Sequence, residues 1–367
     1  MSETEKKLCA GDMSALSARQ LLGRDEIKLD LEFVKTALRD KTVLVTGGGG
    51  SIGSELCRQI AECDVRRLII FEIYENSAYY VHNELMSTHP ELDVVTLIGS
   101  IRDEARVESV ISQYRPDVIY HAAAHKHVPL MEQSPCEAVK NNVFGTLNLV
   151  RAADKHGVGR FIMISTDKSV NPTSVMGATK RICEMIIQSY ARESKTEFAA
   201  VRFGNVLASN GSVVPLFRQQ IAEGGPVRVT HPEVSRYFMT ISEAVALVLE
   251  AGVHAQGGEI FVLDMGEPVK IVTLAERLIR LCGYEPYKDI MIEFTGLRQG
   301  EKLYEELLMN EEGLTSTANR LIHIGKPLEF DDQEFFTSLD RLHDAALSQS
   351  DDIRDHIKAI VPTYTIL

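Results

Sequence analysis

The 367-residue chain has no excess of basic residues, no long apolar run and no Cys-x-x-Cys motif, and each absence argues against a class of function. With 39 Lys and Arg against 52 Asp and Glu the formal charge is -13, so no basic face is available for a nucleic-acid backbone. An anionic ligand would need local cations instead. No stretch approaches the ~20 apolar residues that cross a bilayer, and the polar start lacks the apolar centre of a signal peptide. The expectation is a cytoplasmic protein with no membrane span in this chain. Cysteines at 9, 57, 63, 136, 183 and 282 form no Cys-x-x-Cys pair and are expected to be reduced and buried. His121, His125 and His127 are not accompanied by a carboxylate-histidine pattern, so no metal site is expected. There are no internal repeats or low-complexity tracts.

What is present is a regular alternation. Residues 1–40 form an N-terminal helical arm, with Ile27, Leu31, Val34 and Leu38 on one face. From Thr42 onward, β-branched runs at 42–46, 67–71, 94–98, 117–121, 160–165 and 198–202 are separated by amphipathic stretches. One of these, carrying Val107, Val110, Ile111 and Tyr114, is ended by Pro116. The alternation implies an α/β fold, a Rossmann-like doubly wound parallel sheet with a smaller α/β lobe. The sheet domain is expected over 41–205 with parts of 228–265, the lobe over 206–227 and 266–328, and an acidic helical tail without chemistry over 329–367.

The first strand runs into Gly47-Gly48-Gly49-Gly50-Ser51-Ile52-Gly53 and then a helix. Gly47, Gly50 and Gly53, three apart, let a pyrophosphate approach the amides of a helix N-terminus, with Ser51 and Ile52 between them. Glu72 ends the second strand, placed to accept the hydroxyls of an adenosine ribose. No arginine directly follows, which favours NAD over NADP. Asp103, Ala122 and Ala123 would line the adenine and pyrophosphate side.

Further along stand Ser165-Thr166-Asp167-Lys168 and Met176-Gly177-Ala178-Thr179-Lys180. With the glycine loop, His121-Ala122-Ala123-Ala124-x-Lys126-His127-Val128-Pro129 and Asn142-x-x-Gly145-Thr146, they resemble the extended short-chain dehydrogenase/reductase family. Within it they are similar to the UDP-N-acetylglucosamine 4,6-dehydratases of polysaccharide biosynthesis. The resemblance covers roughly residues 20–325. It implies bound NAD, oxidation of the hexose at C4, loss of water across C5 and C6, and return of the hydride to C6.

In this resemblance Asp167 is the acid toward the C6 hydroxyl, Lys168 the base at C5, Thr166 a partner of the C4 oxygen, and Lys180 a ligand of the nicotinamide ribose. A base at Lys168 must be neutral, with its pKa lowered by burial and by the cations of Lys180 and the nicotinamide. The family's usual tyrosine is replaced by Met176, whose thioether takes no proton. The base for the C4 hydroxyl is therefore open among Asp167, Lys180 and a water relay.

On the substrate side, resemblance gives Asn205 to the pyrophosphate and Val213 and Val214 to the uracil. Lys126 and His127 join the substrate set, Arg236 and Arg298 the diphosphate, and Glu301 the uridine ribose. The alternatives are a UDP-sugar 4-epimerase, which needs no C5 base, and a non-catalytic NAD-binding regulatory module. A homo-oligomer is expected. Residues 18–24 resemble the linker that follows membrane helices in long family members, so the chain reads as the soluble portion of an anchored enzyme.

Overall fold

A computed structural model describes residues 18–27, 29, 31–307, 313–325 and 327–365. Its main sheet has nine strands: β1 Thr42–Thr46, β2 Arg67–Glu72, β3 Val94–Ile98, β4 Val118–His121, β5 Arg160–Ile164, β6 Glu197–Arg202, β7 Ile260–Leu263, β8 Leu314–Ser316 and β9 Ile322–Gly325. Their order across the sheet is β8-β9-β7-β6-β5-β4-β1-β2-β3. β1 to β7 are parallel, and β8 and β9 add antiparallel at one edge. The order reverses between β4 and β1, and the crevice beyond their carboxyl ends is where such sheets bind ligands.

Alternation of side chains feeds two cores, one on each face. Leu44, Ile69, Ile119, Phe161 and Phe198 face one way, where the helix Val175–Ala191 packs. Val43, Val45, Leu68, Ile70, Tyr120 and Ile162 face the other, under helices Ser51–Ala61 and Ile241–His254. Burial on both faces explains why these strands read as unbroken apolar runs. The lobe has its own core, in which Val214, Phe217, Val227, Val229, Leu274 and Ile292 pack together.

Two regions differ from the sequence expectation. Among the described residues of the arm, helices span Ala18–Leu22 and Glu32–Leu38, the second burying Val34 and Leu38, while Ile27 and Leu31 lie before it. The first buries Leu21 in the lobe core, its carbonyl accepting from Arg277 at 2.9 Å. Residues 314–325, expected in the lobe, instead extend the main sheet through pairing with β7. The tail helices Asp332–Leu347 and Ile353–Ile360 bury Phe335, Leu339, Leu342 and Ile357 in the same core as helix Val175–Ala191.

Cys57, Cys63, Cys136 and Cys183 are free and buried. Cys282 is disulfide-bonded, a departure from the expected set of reduced thiols, and Cys9 lies outside the described residues. Among the described residues no helix is long and apolar enough to cross a membrane.

Candidate active site

The glycine loop is built as its spacing suggests. Gly47 has a φ of +69°, and a Cβ there would come within 2.7 Å of the Ala123 backbone. At Gly53 a Cβ would strike the Gly47 carbonyl, so the loop can turn into the helix at Ser51 only without side chains. Gly47, Gly50, Ser51, Ile52, Gly53 and Ala122 line one cleft. Helix Ser51–Ala61 aims its N-terminus into it, a site suited to a diphosphate. Glu72 is buried behind the loop, its carboxylate accepting from the amides of Gly49, Ile73 and Tyr74 at 2.9–3.0 Å. It braces the loop, leaving its remaining lone pairs for a ribose. Asp103 caps helix Glu104–Tyr114, accepting from Arg106 N at 3.0 Å, and is not among the residues lining the cleft.

Met176 and Lys180 line the same cleft from helix Val175–Ala191, whose N-terminus is capped by Ser174. Thr166 and Lys168 enter it from the turn after β5. Asp167 is fully buried: Oδ1 accepts from Thr166 Oγ1 and Lys168 Nζ, both at 2.9 Å, and Oδ2 has no partner. Lys168 also donates to Asn205 Oδ1 at 3.1 Å and lies 3.6 Å from Glu305 Oε1.

The two lysines differ from the sequence expectation. Burial by itself would lower the pKa of Lys168, but Asp167 and Glu305 outweigh it and hold the ammonium above its ordinary value. Burial lowers Lys180, with only weaker opposition from Cys183 and Glu184. No ion pair with Lys180 forms among the described residues. The resting protein therefore keeps Lys168 charged, whereas a C5 base must be neutral.

A second cleft adjoins the first through Lys126, His127, Lys168, Asn205 and Val213, and continues to Arg236, Arg298 and Glu301. Lys126 Nζ donates to the Asn210 carbonyl at 2.8 Å, and Asn210 N donates to Ser51 Oγ at 3.0 Å, tying the lobe to the glycine loop. His127 packs against Gly211, whose φ of +68° leaves no room for a side chain. Arg236 is buried, and its guanidinium donates to the carbonyls of Ser235, Lys302 and Leu303. It shapes the 301–305 segment, while Arg298, 60 % exposed in its side chain, is the freer cation. Glu301 accepts from Thr230 at 3.0 Å. Val214 is in the lobe core, not in the cleft wall.

Sequence reasoning missed three buried carboxylates. Glu184 accepts from Ser165, Ser169, Arg181 and Arg202 at 2.6–3.1 Å and pins both ends of the Ser165–Ser169 turn. Glu132 accepts from Val175 N at 2.6 Å and pairs with Arg354 of the tail at 3.1 Å, fixing the start of the helix that carries Met176. Glu305 sits in the acidic run Glu305-Glu306, which in sequence reads as a solvated face. A glutamate one turn after Lys180 was the available signal for Glu184. His121 is buried and neutral, burial holding it well below the ordinary histidine pKa, with Thr46 and Thr146 on its ring nitrogens at 2.7 and 2.9 Å.

The sheet order, the glycine loop at its switch point and the Met-x-x-x-Lys helix give a doubly wound Rossmann-like fold whose cleft is lined by that loop and that helix. The polysaccharide biosynthesis protein family matches residues 43–327, and the chain belongs to it. The capsular polysaccharide biosynthesis protein CapD of Staphylococcus aureus is 53% identical over 322 residues, 87% of this chain and 54% of that one. This chain thus spans about half the length of that relative. A UDP-glucose 4-epimerase of Rickettsia canadensis is 36% identical, covering 74% of this chain and 79% of its own. The crystal structure of Pen from Bacillus thuringiensis superposes with a TM-score of 0.73 at 35% identity, over 79% of this chain and 90% of that one. The dTDP-glucose 4,6-dehydratase DesIV of Streptomyces venezuelae, solved with NAD bound, shares the fold at 22% identity and a TM-score of 0.65, over 72% of this chain and 87% of its own.

Proposed function

We propose that this chain dehydrates UDP-N-acetylglucosamine to UDP-2-acetamido-2,6-dideoxy-4-keto-hexose. The observation that carries the reading is the Thr166-Asp167-Lys168 cluster, a buried carboxylate with one empty oxygen bonded to a lysine where two clefts meet. Bound NAD⁺ supplies the acceptor for the C4 hydride and its return to C6. Gly47, Gly50, Gly53 and Ser51 would hold its diphosphate, Glu72 its adenosine ribose and Lys180 its nicotinamide ribose.

The chain's own task is to move protons. Thr166 orients the C4 oxygen, and the Asp167 carboxylate takes the C4 hydroxyl proton. That transfer leaves Asp167 protonated, the state needed to release the C6 hydroxyl as water, so one carboxylate serves both steps. No phenol is needed, which accommodates Met176. Lys168, once neutral, takes the C5 proton made acidic by the C4 ketone. Arg298 and Glu301 orient the uridine diphosphate beside Val213 and Asn205.

Incubation with UDP-N-acetylglucosamine in deuterated water tests the reading. A new C6 methyl signal by NMR, with deuterium at C5, is expected; recovery of unchanged substrate by an NAD-loaded chain would refute it. The charged state of Lys168 at rest favours one second reading, a UDP-sugar 4-epimerase, in which no C5 base acts. Formation of the C4 epimer without a methyl signal would establish that instead.

A further inference from the structure

Glu305 has no task in the scheme above, yet its placement is unusual. Its side chain is 4 % exposed, in the wall of the second cleft. Oε1 lies 3.6 Å from Lys168 Nζ and 3.5 Å from Arg236 Nε, and Oε2 is buried with no hydrogen-bond partner. Asp167 is built alike, with one oxygen on the ammonium and the other empty. Lys168 is thus shared by two carboxylates. A buried carboxylate oxygen without a donor is unfavourable, so each of the two has an acceptor oxygen open to a donor.

We propose that Glu305 is the proton acceptor that converts Lys168 into a base. The inference rests on the dehydratase reading. When substrate displaces water from the cleft, the Lys168 N–H bond breaks and an O–H bond forms on Glu305, with no change in net charge. A neutral amine beside a carboxylic acid then replaces an ion pair, the form that a water-free site favours.

The Lys168 lone pair takes the C5 proton. The C5–H electrons become the C5–C6 double bond, and the C6 hydroxyl leaves as water with the proton from Asp167. Lys168 returns a proton to C5 as hydride returns to C6, and Glu305 returns its proton to Lys168 as product departs. Only water is lost overall. Asp167 cannot be the acceptor, because it already carries the C4 proton toward C6. The raised pKa of Lys168 agrees with this need for a partner.

The test follows the NAD-loaded chain with UDP-N-acetylglucosamine, reading both reduced-nicotinamide absorbance and the C6 methyl product, in wild type, Glu305→Gln and Glu305→Asp. Glu305→Gln should oxidise C4 within about threefold of wild type but form product roughly 100-fold more slowly, so that reduced nicotinamide accumulates. Glu305→Asp, which keeps an acceptor, should recover at least about tenfold of that loss. Product formation by Glu305→Gln within about threefold of wild type, or faster than wild type, overturns the proposal. Faster turnover would show that the carboxylate merely burdens Lys168 with a proton. An equal loss of both steps, by misfolding or otherwise, assigns Glu305 a packing role and also overturns it. A wild-type chain that yields only a C4 epimer refutes the dehydratase reading and this inference together, whereas a wild-type dehydratase with an unaffected Glu305→Gln refutes this inference alone.

Discussion

Replacing Glu184 by Gln should destabilise the fold by about 3 kcal/mol, and two independent routes lead to that figure. Glu184 and Arg202 are both wholly buried and joined by two hydrogen bonds of 2.7 Å, with Arg181 3.1 Å away. Removing one partner of such a pair leaves an uncompensated buried charge and costs about 3–5 kcal/mol. The second route is linkage. Burial would raise the Glu184 pKa, but Arg202, Arg181 and Ser165 outweigh it and pull it from 4.5 to about 2. At about 1.4 kcal/mol per tenfold, that depression is again worth about 3 kcal/mol. The folded-state pKa lies below the unfolded value, so this contribution is full above pH 4.5 and is lost as pH falls toward 2. Urea unfolding at pH 7 and at pH 3, followed by circular dichroism, measures both effects. Wild type should lose stability between those pH values, and Glu184→Gln should lose less. Replacing the pair together, as Glu184→Leu with Arg202→Met, should cost less than Glu184→Leu alone. A Glu184→Gln cost below about 1 kcal/mol at pH 7, or an unchanged acid response, would refute the argument.

Gly53→Ala should weaken NAD binding at least tenfold, roughly 1.4 kcal/mol, because its Cβ would meet the Gly47 carbonyl; isothermal titration with NAD checks this. Met176→Tyr should not raise turnover if, as proposed, Asp167 moves the C4 proton, and it should cost about 1–3 kcal/mol by overfilling a site only 4% exposed; kcat and a urea melt read the two effects. Arg354→Ala should cost about 1–3 kcal/mol and lower kcat, because Glu132 would be left with one fewer donor while it holds the helix carrying Met176 and Lys180; the paired measurements are a melt and the rate of C6 methyl formation.

The first six parallel strands were legible in the chain as short apolar or β-branched runs, most of them buried on both faces, whereas β7 was not singled out; the glycine loop was legible because its residues obey a steric rule that no other residue type satisfies. β8 and β9 were not legible. β9 pairs with β7 in the register Ile260–Gly325, far apart in sequence, β8 pairs with β9, and Leu314–Ser316 is exposed along its length, so periodicity carries no trace of the pairing. Glu132, Glu184 and Glu305 were missed for a related reason. A glutamate in sequence reads as solvated, and only the fold shows the arginines and amides that surround it.

The two lysines show how far residue identity falls short of a mechanism. Lys168 and Lys180 are both drawn out of water, and that alone would lower both. What separates them is the company each keeps: Lys168 has Asp167 and Glu305, while among the described residues no carboxylate pairs with Lys180. The neutral amine that chemistry asks for at Lys168 therefore cannot be a property of burial. It has to be produced during the catalytic cycle, by a group able to take one proton and give it back. In the proposed scheme Asp167 serves the C4 and C6 oxygens, and Arg236, although close by, is a cation that only donates. In the proposed scheme Glu305 is, among the described residues, the neighbouring carboxylate left to take that proton, so with methionine at the tyrosine position the acid-base work falls on a cluster in which each carboxylate carries a separate proton.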